Sequence, residues 1–256
     1  MSTSPADNPK LSALVVIHNE ESQLEECLSS LSFADELVVV LDRCTDGSKA
    51  IAECAGVTLL EGAWELEGKR RNEGIHACTG DWILEVDADE RVTPRLATEI
   101  RARIIDAPFG HFLIPFDNYV GSRLIRHGWG ASWGVSATVR LFAKGAKHWG
   151  GERVHPSLEL RGQTMHLQSH MIHYVDRNIS DMLMRLDRYT SARACDLRDS
   201  GNIGGLTRAL GRLVSRFWKC YVRRRGYREG LYGFLIALMA GLYPVLSHIK
   251  AKLETE

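Results

Sequence analysis

Four short apolar runs, each followed by a polar cluster, constrain this chain more than any other feature. They are Leu11–Ile17, Glu36–Leu41, Val57–Leu60 and Trp82–Val86. Runs of this length, rich in branched residues, read as strands buried on both faces. Helical patterns separate them. After Ser22, residues Leu24, Cys27, Leu28 and Leu31 share one face; a helix follows the turn Cys44-Thr45-Asp46-Gly47-Ser48 to about Cys54; a third carries Lys69, Arg70, Arg71 and Asn72 and stops near Gly80. Strand and helix alternating in this way predict an α/β layer with parallel strands. Ligands of such sheets gather at the carboxyl ends of strands, near the point where strand order reverses. The polar clusters fall at those ends: Asn19 and Glu20 after the first strand, Asp42 after the second, Asp87 and Asp89 after the fourth.

The chain changes character beyond residue 109. Phe109–Tyr174 is rich in Gly, Trp and His, with short candidate strands at Phe112–Pro115, Thr138–Phe142 and Met165–Leu167. From Asn178 onward the pattern is helical. The expected division is one domain over 1–177, with a first half at about 11–90 and a second at about 109–177. A helical extension over 178–256 follows.

Asp87 and Asp89 lie one residue apart at a strand end, and alternate residues of an extended segment point the same way. Two such carboxylates suit Mg2+ or Mn2+, hard cations that take oxygen ligands and neutralise charge on a diphosphate. An Asp-x-Asp pair alone is also a common surface turn; its position after Trp82–Val86 favours the functional reading. Asp42 reads equally as an Asx-turn residue capping the next helix. Lys69, Arg70, Arg71 and Asn72 read by default as a solvated helical face.

The ordered series Val16-Ile17-His18-Asn19-Glu20-Glu21, Val40-Leu41-Asp42 with Thr45–Ser48, Gly68–Gly74, and Gly80–Glu90 closely resembles family 2 glycosyltransferases. Arg140-Leu141-Phe142, Trp149, Val154-His155, Gly162 and His173-Tyr174, with Gly226 and Gly230 before an apolar helix, extend the resemblance to the branch that adds sugars to lipopolysaccharide core. It implies a GT-A fold, a Rossmann-like mixed sheet flanked by helices, here with a C-terminal helical membrane-associating extension. It also implies an inverting, metal-dependent transfer from a nucleotide-diphosphate sugar, UDP-hexose by preference, to a lipid-linked saccharide. By the same resemblance Asp42 binds the nucleoside, and Asp87 and Asp89 bind metal and diphosphate. His18, Asn19 and Glu20 line the donor pocket, with Lys69 and Asn72 beside it.

An inverting transfer needs a base for the acceptor hydroxyl. The resembled branch commonly has an acidic residue after the histidine of its Val-His motif; Pro156 stands there in this chain. Glu152 and His155 are the nearest substitutes, Glu152 first, with Glu159 and Asp117 behind them; a solvated loop glutamate is the plain alternative. His166, His170 and His173 lack an obvious fourth zinc ligand and read as structural or acceptor-contacting. Trp129, Trp133 and Trp149 sit among glycines and read either as an acceptor lip or as core aromatics.

Zero formal net charge argues against a general nucleic-acid binder. Yet Arg208–Arg228 carries eight basic residues and no acid. Its basic residues recur opposite Leu210, Leu213, Val214, Phe217 and Tyr221, as in helices that lie on anionic membranes. Gly230–Ile249 then holds 20 residues without Asp, Glu, Lys or Arg, enough to cross a bilayer as a helix. Pro244 and His248 favour a helix lying in the membrane over a full span. Gly233, Ala237 and Gly241 form a small-residue face suited to pairing with a second copy. Six scattered cysteines without a C-x-x-C pair, and a polar Met1–Lys10 with two prolines, point to a reducing compartment. The expected location is the cytoplasmic face of the inner membrane.

Two other functions compete. A sugar-nucleotide nucleotidyltransferase would use a similar layer, but His18-Asn19-Glu20-Glu21 occupies the place of its Gly-rich phosphate loop. A donor-binding relative without catalysis is compatible with Pro156.

Overall fold

The computed structural model describes residues 8–130, 133–152 and 156–254. The chain forms two compact units. The first comprises Met1–Phe116 and Ala137–His173, the second Asp117–Ser136 and Tyr174–Glu256.

In the first unit, β1 (Leu11–Ile17) is buried along its whole length. It pairs in parallel with β2 (Glu36–Asp42) on one side, Val15 opposite Val39, and with β4 (Trp82–Val86) on the other, Ala13 opposite Leu84. β3 (Thr58–Gly62) adds in parallel to β2. Helices α1 (Glu21–Ser30), α2 (Ser48–Cys54) and α3 (Glu67–Ala77) make the crossovers. Because β2 and β4 flank β1, strand order reverses at β1, the kind of switch point beside which such sheets bind their ligands. α3 lies close on this sheet. A Cβ on Gly74 would fall 2.5 Å from Leu14 Cδ1, so only glycine lets the helix approach that near.

After β4 come β5 (Glu90–Arg91) and α4 (Pro94–Ile104). Thr93 caps α4 by accepting a hydrogen bond from the Leu96 amide at 3.2 Å, and Pro94 takes the first turn, where its missing N–H costs nothing. Leu96, Ile100 and Ile104 are buried, each worth about 1.5–3 kcal/mol of apolar burial. β6 (Gly110–Val120) runs out of the first unit into the second, where β7 (Arg123–Ile125) turns back along it. β8 (Ala137–Ala143) joins the sheet antiparallel to both β4 and β6, with Ile83 and His111 facing Phe142. β9 (Lys147–Trp149) and β10 (Leu158–Leu160) form a separate hairpin. β11 (Gln163–His166) lies parallel to β6, and β12 (Met171–Asp176) sets His173 opposite Glu90 of β5. The sheet is therefore mixed: a parallel half in the order β3-β2-β1-β4, continued by β8 and β6.

The second unit is built on α5 (Ile179–Asp199), α6 (Leu206–Trp218) and α7 (Leu231–Leu253). α7 is long and apolar enough to cross a membrane, yet 61% of its most apolar stretch is buried within the protein. Ile236, Ala237, Met239, Ala240 and Tyr243 pack with Met182 and Leu186 of α5 and with Trp129 and Trp133. Both tryptophans are buried, so they are core aromatics and not an exposed lip. The small-residue face is taken up inside the unit. A Cβ on Gly233 would meet the Gly226 carbonyl oxygen at 1.8 Å, and one on Gly241 the Leu213 oxygen at 3.0 Å.

Candidate functional site

The ends of β1 and β2 are stitched together by polar side chains. His18 Nδ1 lies 2.6 Å from the Asp42 carbonyl oxygen, and Asn19 Oδ1 accepts a hydrogen bond from the Thr45 amide at 2.7 Å. The Glu20 amide donates to Ser48 Oγ at 3.0 Å. Asn19 and Arg43 both adopt positive φ, +56° and +51°, a conformation that costs a non-glycine residue energy and clusters at functional sites. The Asp42 carboxylate is buried. It accepts from Arg43 Nε and Nη2 at 3.0 Å, from Arg70 Nη1 at 2.9 Å and from the Trp64 amide at 3.0 Å. Burial alone would raise its pKa; these donors outweigh it and hold the carboxyl below its usual range.

A denser network occupies the end of β4. Glu85, fully buried, accepts from Lys147 Nζ at 2.7 Å and Trp149 Nε1 at 3.2 Å, and pairs closely with Arg71. Burial pushes its pKa up, but Lys147 and Arg71 prevail and bring it to about 2. Asp87 binds both arginines of the cluster, Arg71 Nη2 at 3.1 Å and Arg140 Nη2 at close range. Its carboxyl is held well below the ordinary range, against the opposing effect of burial. Arg140 also pairs with Glu90, whose pKa burial pushes up to about 7 in spite of that cation. Beyond these, His173 Nε2 lies 3.4 Å from Asp89 Oδ2. Burial works against the imidazolium, but Asp89 and Glu90 raise the His173 pKa overall. One ligand atom from each of Asp89, Glu90 and His173 falls within 4.8 Å of the others. Two carboxylates and an imidazole at that separation are a donor set that fits a divalent cation such as Mg2+ or Mn2+.

The remaining expected residues divide. Asn72 exchanges two hydrogen bonds with the Trp149 backbone, at 2.8 and 3.0 Å, and so ties α3 to β9. Lys69 is exposed on α3. Glu152 is exposed and accepts from the Ser157 amide at 2.9 Å and Ser157 Oγ at 3.1 Å, which lowers its pKa. His155 lies outside the described residues. His173 joins the acidic cluster, as neither His166 nor His170 does.

Arg71, expected on a solvated helical face, is instead buried under Trp149, its guanidinium 5.1 Å from the ring centroid. Glu85 and Arg140 were legible in principle, each a charge inside an otherwise apolar strand (Trp82–Val86 and Ala137–Ala143).

A mixed α/β sheet with acids clustered at its switch point is the frame of nucleotide-sugar transferases, and the chain belongs to glycosyl transferase family 2, whose family model matches residues 12–147. Its fold is accordingly of the GT-A type. Among its relatives is the lipopolysaccharide core biosynthesis glycosyltransferase LpsC of Rhizobium meliloti (strain 1021), 23% identical over 254 residues, covering 94% of this chain and 91% of that protein. Of solved structures, S. aureus TarS aligns with a TM-score of 0.48 and 17% identity over 73% of this chain and 64% of that one. Glucosyl-3-phosphoglycerate synthase from Mycobacterium tuberculosis, solved with Mn2+, UDP and glucosyl-3-phosphoglycerate, aligns with a TM-score of 0.38 and 18% identity. That alignment covers 43% of this chain and 44% of the synthase.

Proposed function

We propose that this glycosyltransferase moves a hexose from a UDP-sugar onto a lipid-linked saccharide, such as lipopolysaccharide core, with inversion at the anomeric carbon and at the cytoplasmic face of a membrane. The observation that carries the reading is the meeting of Asp89, Glu90 and His173 at the end of β4, next to the sheet's switch point. Similarity to LpsC over nearly the full length of both proteins supports the choice of acceptor.

Asp89 and His173 would hold a Mg2+ or Mn2+ ion, with Glu90 behind them. When bound, such a cation neutralises charge that develops on the diphosphate leaving group. Asp87, expected from the sequence to share the metal, has its oxygens on Arg71 and Arg140. In this reading Asp87 orients those two cations toward the phosphates while Asp89 serves the metal. Asp42 receives the nucleoside at the end of β2, where Arg43 and Arg70 must yield part of its carboxylate. His18, Asn19 and Glu20 wall the same pocket, with Lys69 and Asn72 at its margin.

In the transfer, the acceptor hydroxyl oxygen forms the new bond to the anomeric carbon. The bond from that carbon to the β-phosphate oxygen breaks, and its electrons leave with UDP. The hydroxyl proton passes to a base, for which Glu152 is the proposed residue once it releases Ser157. Should Glu152 be unable to do so, the chain would be a donor-binding relative without transfer activity.

The test is UDP release from a panel of UDP-hexoses, with and without Mn2+, by the native protein and by Glu152→Gln. Metal-dependent release that falls about 10²–10⁴-fold in the variant is expected for loss of a general base. No release from any UDP-sugar, or equal release by the variant, would contradict the proposal.

A further inference from the structure

α6 carries an apolar face that the other described residues leave uncovered. Leu206, Leu210, Val214 and Trp218 are spaced four apart and are each between 47% and 66% exposed. At 3.6 residues per turn they cover about 120° of the helix surface. Ala209, Leu213 and Phe217, on the neighbouring arc, turn toward the protein. Arg208, Arg212 and Lys219 occupy the opposite arc and are exposed. The packed face, the bare apolar face and the basic face are therefore three separate stripes of one helix.

The packed face of α6 leads into an aromatic cluster that extends the surface beyond the helix. Phe217 stacks on Tyr221 at 5.4 Å between ring centroids, and Phe234 of α7 meets both rings edge-on at 5.7 and 6.1 Å. Tyr227 joins Tyr221 at 6.4 Å. Phe234, Tyr227 and Leu231 are 45%, 50% and 86% exposed, so they prolong the uncovered surface. An exposed apolar patch of this extent marks an interaction site. Its surroundings say which kind: Arg208–Arg228 contains eight basic residues and no acid.

We infer that this surface, and not the buried helix α7, seats the protein on an anionic lipid bilayer. α6 would lie parallel to the membrane plane, with Leu210, Val214 and Trp218 in the acyl–headgroup boundary and its opposite, basic arc held in the negative potential of the anionic headgroups. An apolar face opposed by a basic face is what interfacial helices present, and neither alone holds a protein there as firmly as both. A second copy of this chain is the poorer occupant, because docking like on like would bring together two surfaces of the same strong positive charge. The inference takes its purpose from the proposed lipid-linked acceptor. Its test uses no donor, metal or acceptor, so either can fail without the other.

The full chain is co-sedimented with vesicles of phosphatidylcholine alone and of phosphatidylcholine mixed with phosphatidylglycerol, at low and high salt. Expected are binding to the mixed vesicles, weakening with salt, and a loss of at least about tenfold in affinity for the combined variant Leu210→Ser, Val214→Ser, Trp218→Ser. Circular dichroism melting reports whether that variant remains folded. The single variant Trp218→Ser, which removes one exposed side chain, should abolish the vesicle-induced blue shift of tryptophan emission. Failure of the native protein to bind mixed vesicles would overturn the inference, as would undiminished binding by the combined variant. So would a combined variant that turns a dimer into a monomer in sedimentation velocity while keeping its vesicle affinity.

Discussion

His173 Nε2 lies 3.4 Å from Asp89 Oδ2, joining the middle of β12 to the turn that follows β4. The pairing β12–β5, with His173 opposite Glu90, fixes this contact through the backbone. The candidate cation site therefore depends on strands from distant parts of the chain. Its donor set is completed late in the sequence.

Arg140 should be indispensable to folding as well as to the site. It is buried and pairs with both Asp87 and Glu90. Arg140→Met would leave the buried Glu90 and the half-buried Asp87 without that cation, and breaking a buried pair costs about 3–5 kcal/mol. Thermal unfolding should show a drop in Tm of several degrees or more. Arg140→Lys should recover only part of it, since one ammonium cannot reproduce the planar guanidinium that serves two carboxylates. A melting curve for Arg140→Met matching the native protein would refute this.

Glu85→Gln tests the network one step deeper and has a defined pH signature. Glu85 is drawn down to about 2 by Lys147 and Arg71 in spite of its burial, whereas an unfolded glutamate titrates near 4.5. A depressed folded pKa stabilises the protein above the unfolded value, and that contribution fades as pH falls through the folded one. The native protein should exceed Glu85→Gln in stability by about 3 kcal/mol at neutral pH. In denaturant titrations, the gap should narrow between pH 4.5 and 2. A gap independent of pH would mean that Glu85 packs as a neutral group.

Much of this was readable in advance, and the exceptions have physical causes. The parallel half of the sheet was legible because strands buried on both faces must be largely apolar, as Leu11–Ile17 and Trp82–Val86 are apart from Ser12 and Glu85. β6 looked like Phe112–Pro115 but runs Gly110–Val120, since its outer residues alternate between buried and half-buried and carry Asp117 and Asn118. Arg71 stood among Lys69 and Arg70 and resembled a solvated face; only α3's position over Glu85 and Asp87 turns it inward. The apolar stretch Gly230–Ile249 suits a membrane or a protein interior equally well by composition. Which one surrounds most of α7 emerges only from the packing of α5 and α6.

Ser157 should tune the proposed base. Its amide and hydroxyl both donate to Glu152 and lower the carboxyl's pKa. Ser157→Ala removes one of these donors, so the Glu152 pKa should rise. A base must be deprotonated to act, and the acidic limb of the kcat/KM profile should therefore move to higher pH while the rate on the plateau persists. An unmoved limb would take the base role away from Glu152.

The most direct measurement is calorimetric titration of UDP into the native protein and into Asp89→Ala, each with and without Mn2+. The native protein should bind UDP markedly more tightly with the metal, and the variant should lose that increment while keeping its folded circular dichroism spectrum. Native binding indifferent to Mn2+, or an increment that survives in Asp89→Ala, would contradict a cation held by Asp89 and His173 at the end of β4.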